Sequence, residues 1–167
     1  MSAQPGAVAL DLDGTVLNYN QHASETRINP ALLALLPAPG PVVIVTNQGG
    51  MAFHRVNPAK YPSPAQVADR LWTAAVYLGS RGYPVQAILV SCYHPRAERA
   101  EVLRAARQLR REYAQDGIRI FTTARARKPR PYLLRLAGAS VYCGDSPEDA
   151  VAAQAAGVPF VQVARFE

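Results

Sequence analysis

Lysine is nearly missing from this chain. Of the 18 lysines and arginines among its 167 residues, only Lys60 and Lys128 are lysines. Each is therefore a position to account for. Cysteine is equally sparse: Cys92 and Cys143 stand far apart. That excludes a disulfide framework and makes a reducing, cytoplasmic setting the expectation. No apolar run approaches the ~18 residues that cross a bilayer, so no membrane partner is expected. Residues 1–6 carry no basic stretch followed by a long apolar one, so no signal peptide is expected either.

Apolar residues make up 49% of the chain and charged residues 18%, which is ordinary for a globular protein. A length of 167 residues suits one domain, 1–167, with its own core. The net charge of +6 is unevenly spread. Segment 96–135 holds 12 basic and 4 acidic residues, a net of +8, and the remainder nets −2. Such a field favours an anionic partner, although a GC-rich genome produces the same arginine bias.

Short apolar runs alternate with helical patterns. Strands are expected at 7–10, 42–45, 87–90, 118–122, 140–143 and 160–163. Helices are expected at 31–36, with Asn29 as cap and Pro30 in the first position, at 65–80 after Ser63 and Pro64, at 97–115, at 131–136 and at 147–156. Residues 46–62 read as loop. Strands apolar on both faces and alternating with helices predict an α/β fold, a three-layer, doubly wound parallel sheet. In such folds ligands gather at the carboxyl ends of the strands. Those ends carry Asp11 and Asp13, Thr46 and Asn47, Ser91 and His94, and Asp145 and Asp149.

Carboxylates brought together repel, and a hard cation resolves the conflict. Oxygen-only ligands with few protein donors suit Mg2+. Asp11, Asp13 and Asp145 are the expected metal ligands, with Asp149 beside or behind them. Thr46 and Asn47, followed by Gly49 and Gly50, offer hydrogen-bond donors to phosphate oxygens. Lys128, ahead of a helix start, supplies the point charge.

Asp-Leu-Asp-Gly-Thr at 11–15, Thr46-Asn47, Lys128-Pro129 and Gly-Asp-Ser-Pro-Glu-Asp at 144–149 stand in this order along nearly the whole chain. Together they resemble the four motifs of the haloacid dehalogenase superfamily of phosphohydrolases, whose core is a Rossmann-like sheet. The resemblance implies that Asp11 is a nucleophile forming an aspartyl-phosphate. It implies that Asp13 is general acid and then base, and that Thr46, Asn47 and Lys128 hold the phosphoryl group. Asp145, supported by Asp149, would bind Mg2+. An acid at Asp13 favours a phosphatase over a dehalogenase.

Too few residues separate Thr15 from Pro30 for a cap domain. Segment 96–124 has room only for a short helical insertion, so an open, capless site is expected. The Thr-Asn-Gln-Gly-Gly and Arg-Lys-Pro wording is similar to polynucleotide 3′-phosphatases, histidinol-phosphate phosphatases and heptose-bisphosphate phosphatases. Some of these carry a zinc loop. Cys92-Tyr93-His94 begins like that loop, but the second cysteine pair is missing, and tetrahedral zinc needs four ligands. His94, Arg125, Arg127 and Arg130 are the expected rim. The preferred partner is a nucleic-acid terminal phosphate or nucleotide. A small sugar phosphate is the alternative, and a non-catalytic phosphate-binding module is the alternative of another class.

Overall fold

The structure, a computed structural model, describes residues 6–19 and 25–167. The expectation about a signal peptide in residues 1–6 falls almost wholly outside them.

Among the described residues one parallel sheet has six strands in the order β4-β3-β2-β1-β5-β6. These are β1 (Val8–Leu10), β2 (Val42–Asn47), β3 (Val85–Ser91), β4 (Ile118–Phe121), β5 (Val141–Gly144) and β6 (Phe160–Gln162). The helices are α1 (Leu32–Leu35), α2 (Pro64–Ser80), α3 (Arg99–Glu112), α4 (Tyr132–Ala137) and α5 (Pro147–Ala156). Alternate side chains of each strand enter opposite layers, because strand side chains point to alternating faces. Val8, Leu10, Val42, Ile44, Ile88 and Val90 pack with Val67, Leu71 and Leu78 of α2 and with Val102 and Leu109 of α3. Ala7, Ala9, Val43, Val45 and Leu89 pack with Leu133 and Leu134 of α4 and with Ala152 and Ala153 of α5. The fold is thus the expected α/β arrangement of three layers. Each fully buried Leu or Ile contributes roughly 1.5–3 kcal/mol, so a strand apolar on both faces, such as β1, belongs at the centre.

Three local differences bear on the site. β2 continues through Thr46 and Asn47, because these residues keep pairing with Val90 and Ser91 of β3. Gly49–Phe53, expected as loop, is a 3-10 helix. α1 is only four residues long. Asn29 turns the chain by accepting from the Ala31 N–H (3.0 Å) and anchors it by donating to the Thr15 carbonyl (2.9 Å). Segment 96–124 holds α3 and β4, and β4 completes the sheet as the edge strand beside β3.

Helix entry follows local chemistry. Ser63 and Gln66 form a capping box at the start of α2, with Pro64 in its first turn. Ser146 and Asp149 repeat the device on α5, where the capping acid is also a site residue. Among the described residues no helix is long and apolar enough to cross a membrane.

Candidate active site

β1 lies where the sheet's winding reverses: β2 pairs on one side and β5 on the other. The connections diverge here and leave a crevice at the strands' carboxyl ends. Asp11 leaves β1 and still pairs with the Cys143 carbonyl (3.0 Å). The chain then turns tightly, with Val16 and Leu17 N–H both donating to the Leu12 carbonyl at 3.0 Å. Gly14 has φ +83, and a Cβ there would collide with the Asp145 carboxylate. Glycine is thus required both for the turn and for the close approach of β5's acid.

Lys128 is the hub. Its ammonium is 4% exposed and donates to Asp11 Oδ1 (2.7 Å), Asp149 Oδ1 (2.7 Å), the Tyr142 hydroxyl (2.8 Å) and the Val45 carbonyl (3.3 Å). Asn47 secures the backbone of Lys128 from both sides: its Oδ1 accepts from Lys128 N–H (3.1 Å) and its Nδ2 donates to Lys128 O (3.2 Å). Asn47 also lines the cavity, with its Oδ1 and one Nδ2–H engaged in placing Lys128.

Electrostatics follow from this packing. Burial pushes the Asp11 carboxyl well above the carboxylate range, with Asp149 and Asp145 adding to the rise and Lys128 opposing it. Burial alone would lower the Lys128 pKa, but Asp11, Tyr142 and Asp149 hold it well above its ordinary value. For Asp149 burial is outweighed by Lys128, Tyr142 and Ser146, which keep its carboxyl below the usual range. Burial likewise drives the Tyr142 phenol well up, so it stays protonated and donates to Asp149 at 2.6 Å.

Asp13 has a different set of partners. Its Oδ1 accepts from Arg70 of α2 (2.8 Å) and its Oδ2 from the Gln48 amide (2.7 Å), which also donates to Thr46 Oγ1 (2.9 Å). Asp13 is therefore absent from the group that could hold a metal, which consists of Asp11, Asp145 and Asp149, each offering an oxygen within 4.8 Å of the others. Asp13 lines the same cavity as those three acids, with its carboxylate oxygens taken up by Arg70 and Gln48.

The donor set fits a hard cation. All three groups are carboxylates, and Thr15 Oγ1 bridges Asp11 Oδ2 and Asp145 Oδ1 with long 3.3 Å contacts. Asp149 is the least available of the three, since Oδ1 holds Lys128 and Tyr142 and Oδ2 holds the Ser146 hydroxyl (2.8 Å). Asp145 Oδ2 takes Arg165 Nε at 2.7 Å, and this bond holds the guanidinium pKa above its ordinary value.

A cavity of about 560 Å³ opens over these groups. Asp11, Asp13, Thr46, Lys128 and Asp145 line it, and Tyr19, Tyr61, His94, Arg127 and Arg165 surround them. Of the expected rim, His94 and Arg127 are in place, with Arg127 donating to the Tyr93 carbonyl (3.0 Å). Arg125 and Arg130 do not line it; the Arg125 guanidinium lies over the Tyr132 ring, 4.5 Å from its centroid. Burial and the neighbouring Arg127 and Arg96 lower the His94 pKa, which keeps the ring neutral. None of the arginines of α3 lines the cavity. A helix between parallel strands returns to the opposite edge of the sheet, and 14 residues rise ~20 Å. Arg110 and Arg111, in its last turn, therefore stand far from the cavity.

Sequence reasoning missed Arg70, Gln48, Thr15, Tyr142 and Arg165. Arg70 was readable, since it falls three residues after Val67 and four before Ala74 on the inward face of α2. Thr15 was in the quoted motif. Tyr142 and Arg165 carried no local signal. The Arg165 segment reaches the site by non-local pairing, Phe166 N–H to Gly14 O (2.9 Å) and Tyr19 N–H to Phe166 O (2.7 Å). No protein-family model and no curated protein matches the chain.

Proposed function

We propose that the chain is a Mg2+-dependent phosphomonoester hydrolase working through an aspartyl-phosphate on Asp11. The observation that carries this reading is the meeting of Asp11, Asp13, Thr46, Lys128 and Asp145, from four separate strand-end or helix-start segments, in one cavity. The resemblance of the four ordered motifs points the same way.

Asp11 Oδ2 has only the long contact from Thr15, so it is the freer oxygen and the one assigned to attack phosphorus. The phosphorus–oxygen bond to the leaving group breaks, and Asp13 delivers a proton to that oxygen. Water then attacks the aspartyl-phosphate, Asp13 takes the water's proton, and phosphate departs as Asp11 is restored. Lys128 and the Thr46 hydroxyl stabilise the charge on the transferring group. A hard divalent cation held by Asp11 and Asp145 would keep Asp11 ionised despite its burial and offset its repulsion from a phosphate dianion.

For the substrate we propose a nucleotide or nucleic-acid terminal phosphate. Tyr19, Tyr61, His94, Arg127 and Arg165 line the same cavity as the acids. A lining of aromatic and cationic side chains, with Arg165 over the Tyr19 ring at 3.9 Å, suits a base next to a phosphate. The volume is that of a small-molecule site, which fits one terminal nucleotide.

The test is hydrolysis of p-nitrophenyl phosphate with and without Mg2+, by wild type and Asp11→Asn, followed by 3′-phosphorylated and 5′-phosphorylated oligonucleotides, mononucleotides and sugar phosphates. Expected is Mg2+-dependent turnover, abolished in Asp11→Asn, with the nucleotide substrates ahead. Turnover unchanged in Asp11→Asn refutes the mechanism. Faster sugar phosphates refute the substrate class, and phosphate binding without any turnover identifies a binding module instead.

A further inference from the structure

Arg70 is a charged side chain that the fold buries at some cost, and its partners say why. Arginine is almost never fully buried unless paired, and Arg70 is 6% exposed. Its Nη2 donates to Asp13 Oδ1 (2.8 Å) and to the Asn18 carbonyl (2.6 Å), and its Nη1 reaches Asn18 Oδ1 at 3.4 Å. Asn18 is itself locked to Arg27 by bonds of 3.0 and 2.9 Å. On the other side Gln48 holds Asp13 Oδ2 (2.7 Å). The acid two residues after Asp11 is thus gripped by donors from two separate segments, α2 and the residue that follows β2.

The geometry points to Arg70 as a positioning residue for the reaction: it aims Asp13 at the oxygen that leaves phosphorus and pins the turn that carries that acid. This rests on the phosphatase reading above. Asp13 stands outside the metal-binding group, so proton delivery is the work left to it. When the phosphorus–oxygen bond breaks, its electron pair goes to the leaving oxygen and the Asp13 proton follows. Asp13 is left as a carboxylate, and the always-charged Arg70 fork already faces it. A misaimed acid fails only where the leaving oxygen needs that proton.

This predicts a selectivity that a merely structural arginine would not show. The readout is kcat/KM for phenyl phosphate, whose phenolate leaves poorly, and for 2,4-dinitrophenyl phosphate, whose phenolate leaves without a proton. Arg70→Gln is expected to lose ~10²-fold on phenyl phosphate and less than ~3-fold on the dinitrophenyl ester. Arg70→Lys keeps the charge but not the fork. It provides a second variant should the glutamine one not fold, with ~10-fold loss on phenyl phosphate only. Placed on Asp13→Asn, Arg70→Gln is expected to cost nothing further on phenyl phosphate, as for residues acting through one another. Equal losses on both esters, no loss on either, or an additive loss in the double variant overturns the assignment of Arg70 while leaving the hydrolase reading intact. A wild type that hydrolyses neither ester overturns both.

Discussion

Replacing Lys128 by methionine keeps most of the side-chain volume and deletes the charge that four groups share. The ammonium lies 2.7 Å from carboxylate oxygens of both Asp11 and Asp149 and is 4% exposed, so solvent cannot replace it. Removing one partner of a buried ion pair costs about 3–5 kcal/mol. At roughly 2–4 °C per kcal/mol for a chain of this size, Tm falls by about 6–20 °C.

The loss depends on pH, and its sign follows from the two acids. With Lys128 present, Asp149 sits below the usual carboxylate range and contributes stability above the unfolded pKa, lost as pH falls through its folded one. Lys128 itself is raised, so its contribution is complete below its unfolded pKa and is lost as pH rises through the folded one. Asp11 is already raised with Lys128 present, so both proteins lose stability from it as pH rises above the unfolded carboxylate value; without Lys128 nothing opposes that rise, burial raises Asp149 as well, and the variant loses more. Thermal melts of both proteins from pH 4.5 to 8, in chelator, check this. The Tm gap is expected to widen with pH. An unchanged Tm at pH 7, or a gap that narrows toward pH 8, refutes the reasoning.

Two further outcomes are expected from backbone and thiol chemistry. Gly14→Ala imposes a side chain on φ +83, costing ~1–2 kcal/mol, and drives a methyl into the Asp145 carboxylate. Melts are expected to show a lower Tm and no further rise on adding Mg2+, whereas a normal Mg2+ shift would separate Gly14 from the acid cluster. Burial pushes the Cys92 thiol up to about 12 and the Cys143 thiol to about 11. With a thiol-specific chromogenic disulfide at pH 8, both are expected to react at least ~10²-fold more slowly than free cysteine until denaturant is added; rapid reaction of either native thiol contradicts their burial.

How far the site could be read before the fold depended on how local each signal was. Asp11, Asp145 and Lys128 follow apolar strands or precede a helix, so chain order alone placed them at one sheet edge. Asp13 read as a second ligand because it stands with Asp11 at the end of the same strand. Its actual partners, Arg70 and Gln48, come from elsewhere in the chain, and nothing near Asp13 announces them. Asn47 read as a phosphate donor, since its bond to the Lys128 backbone spans 81 residues. The basic segment 96–135 read as a field favouring an anionic partner, yet of its arginines only Arg127 lines the cavity and Arg125 turns onto Tyr132.

The sequence by itself determined the layering and the sheet edge where Asp11, Asp13, Lys128 and Asp145 gather, because strand burial and helix capping are written within a few neighbouring residues. Only the tertiary structure decided which acids gather around Lys128 and which one is held by Arg70. Hydrogen-bond partners 57 residues apart, such as Arg70 and Asp13, are chosen by packing of whole layers, and no local pattern encodes that choice.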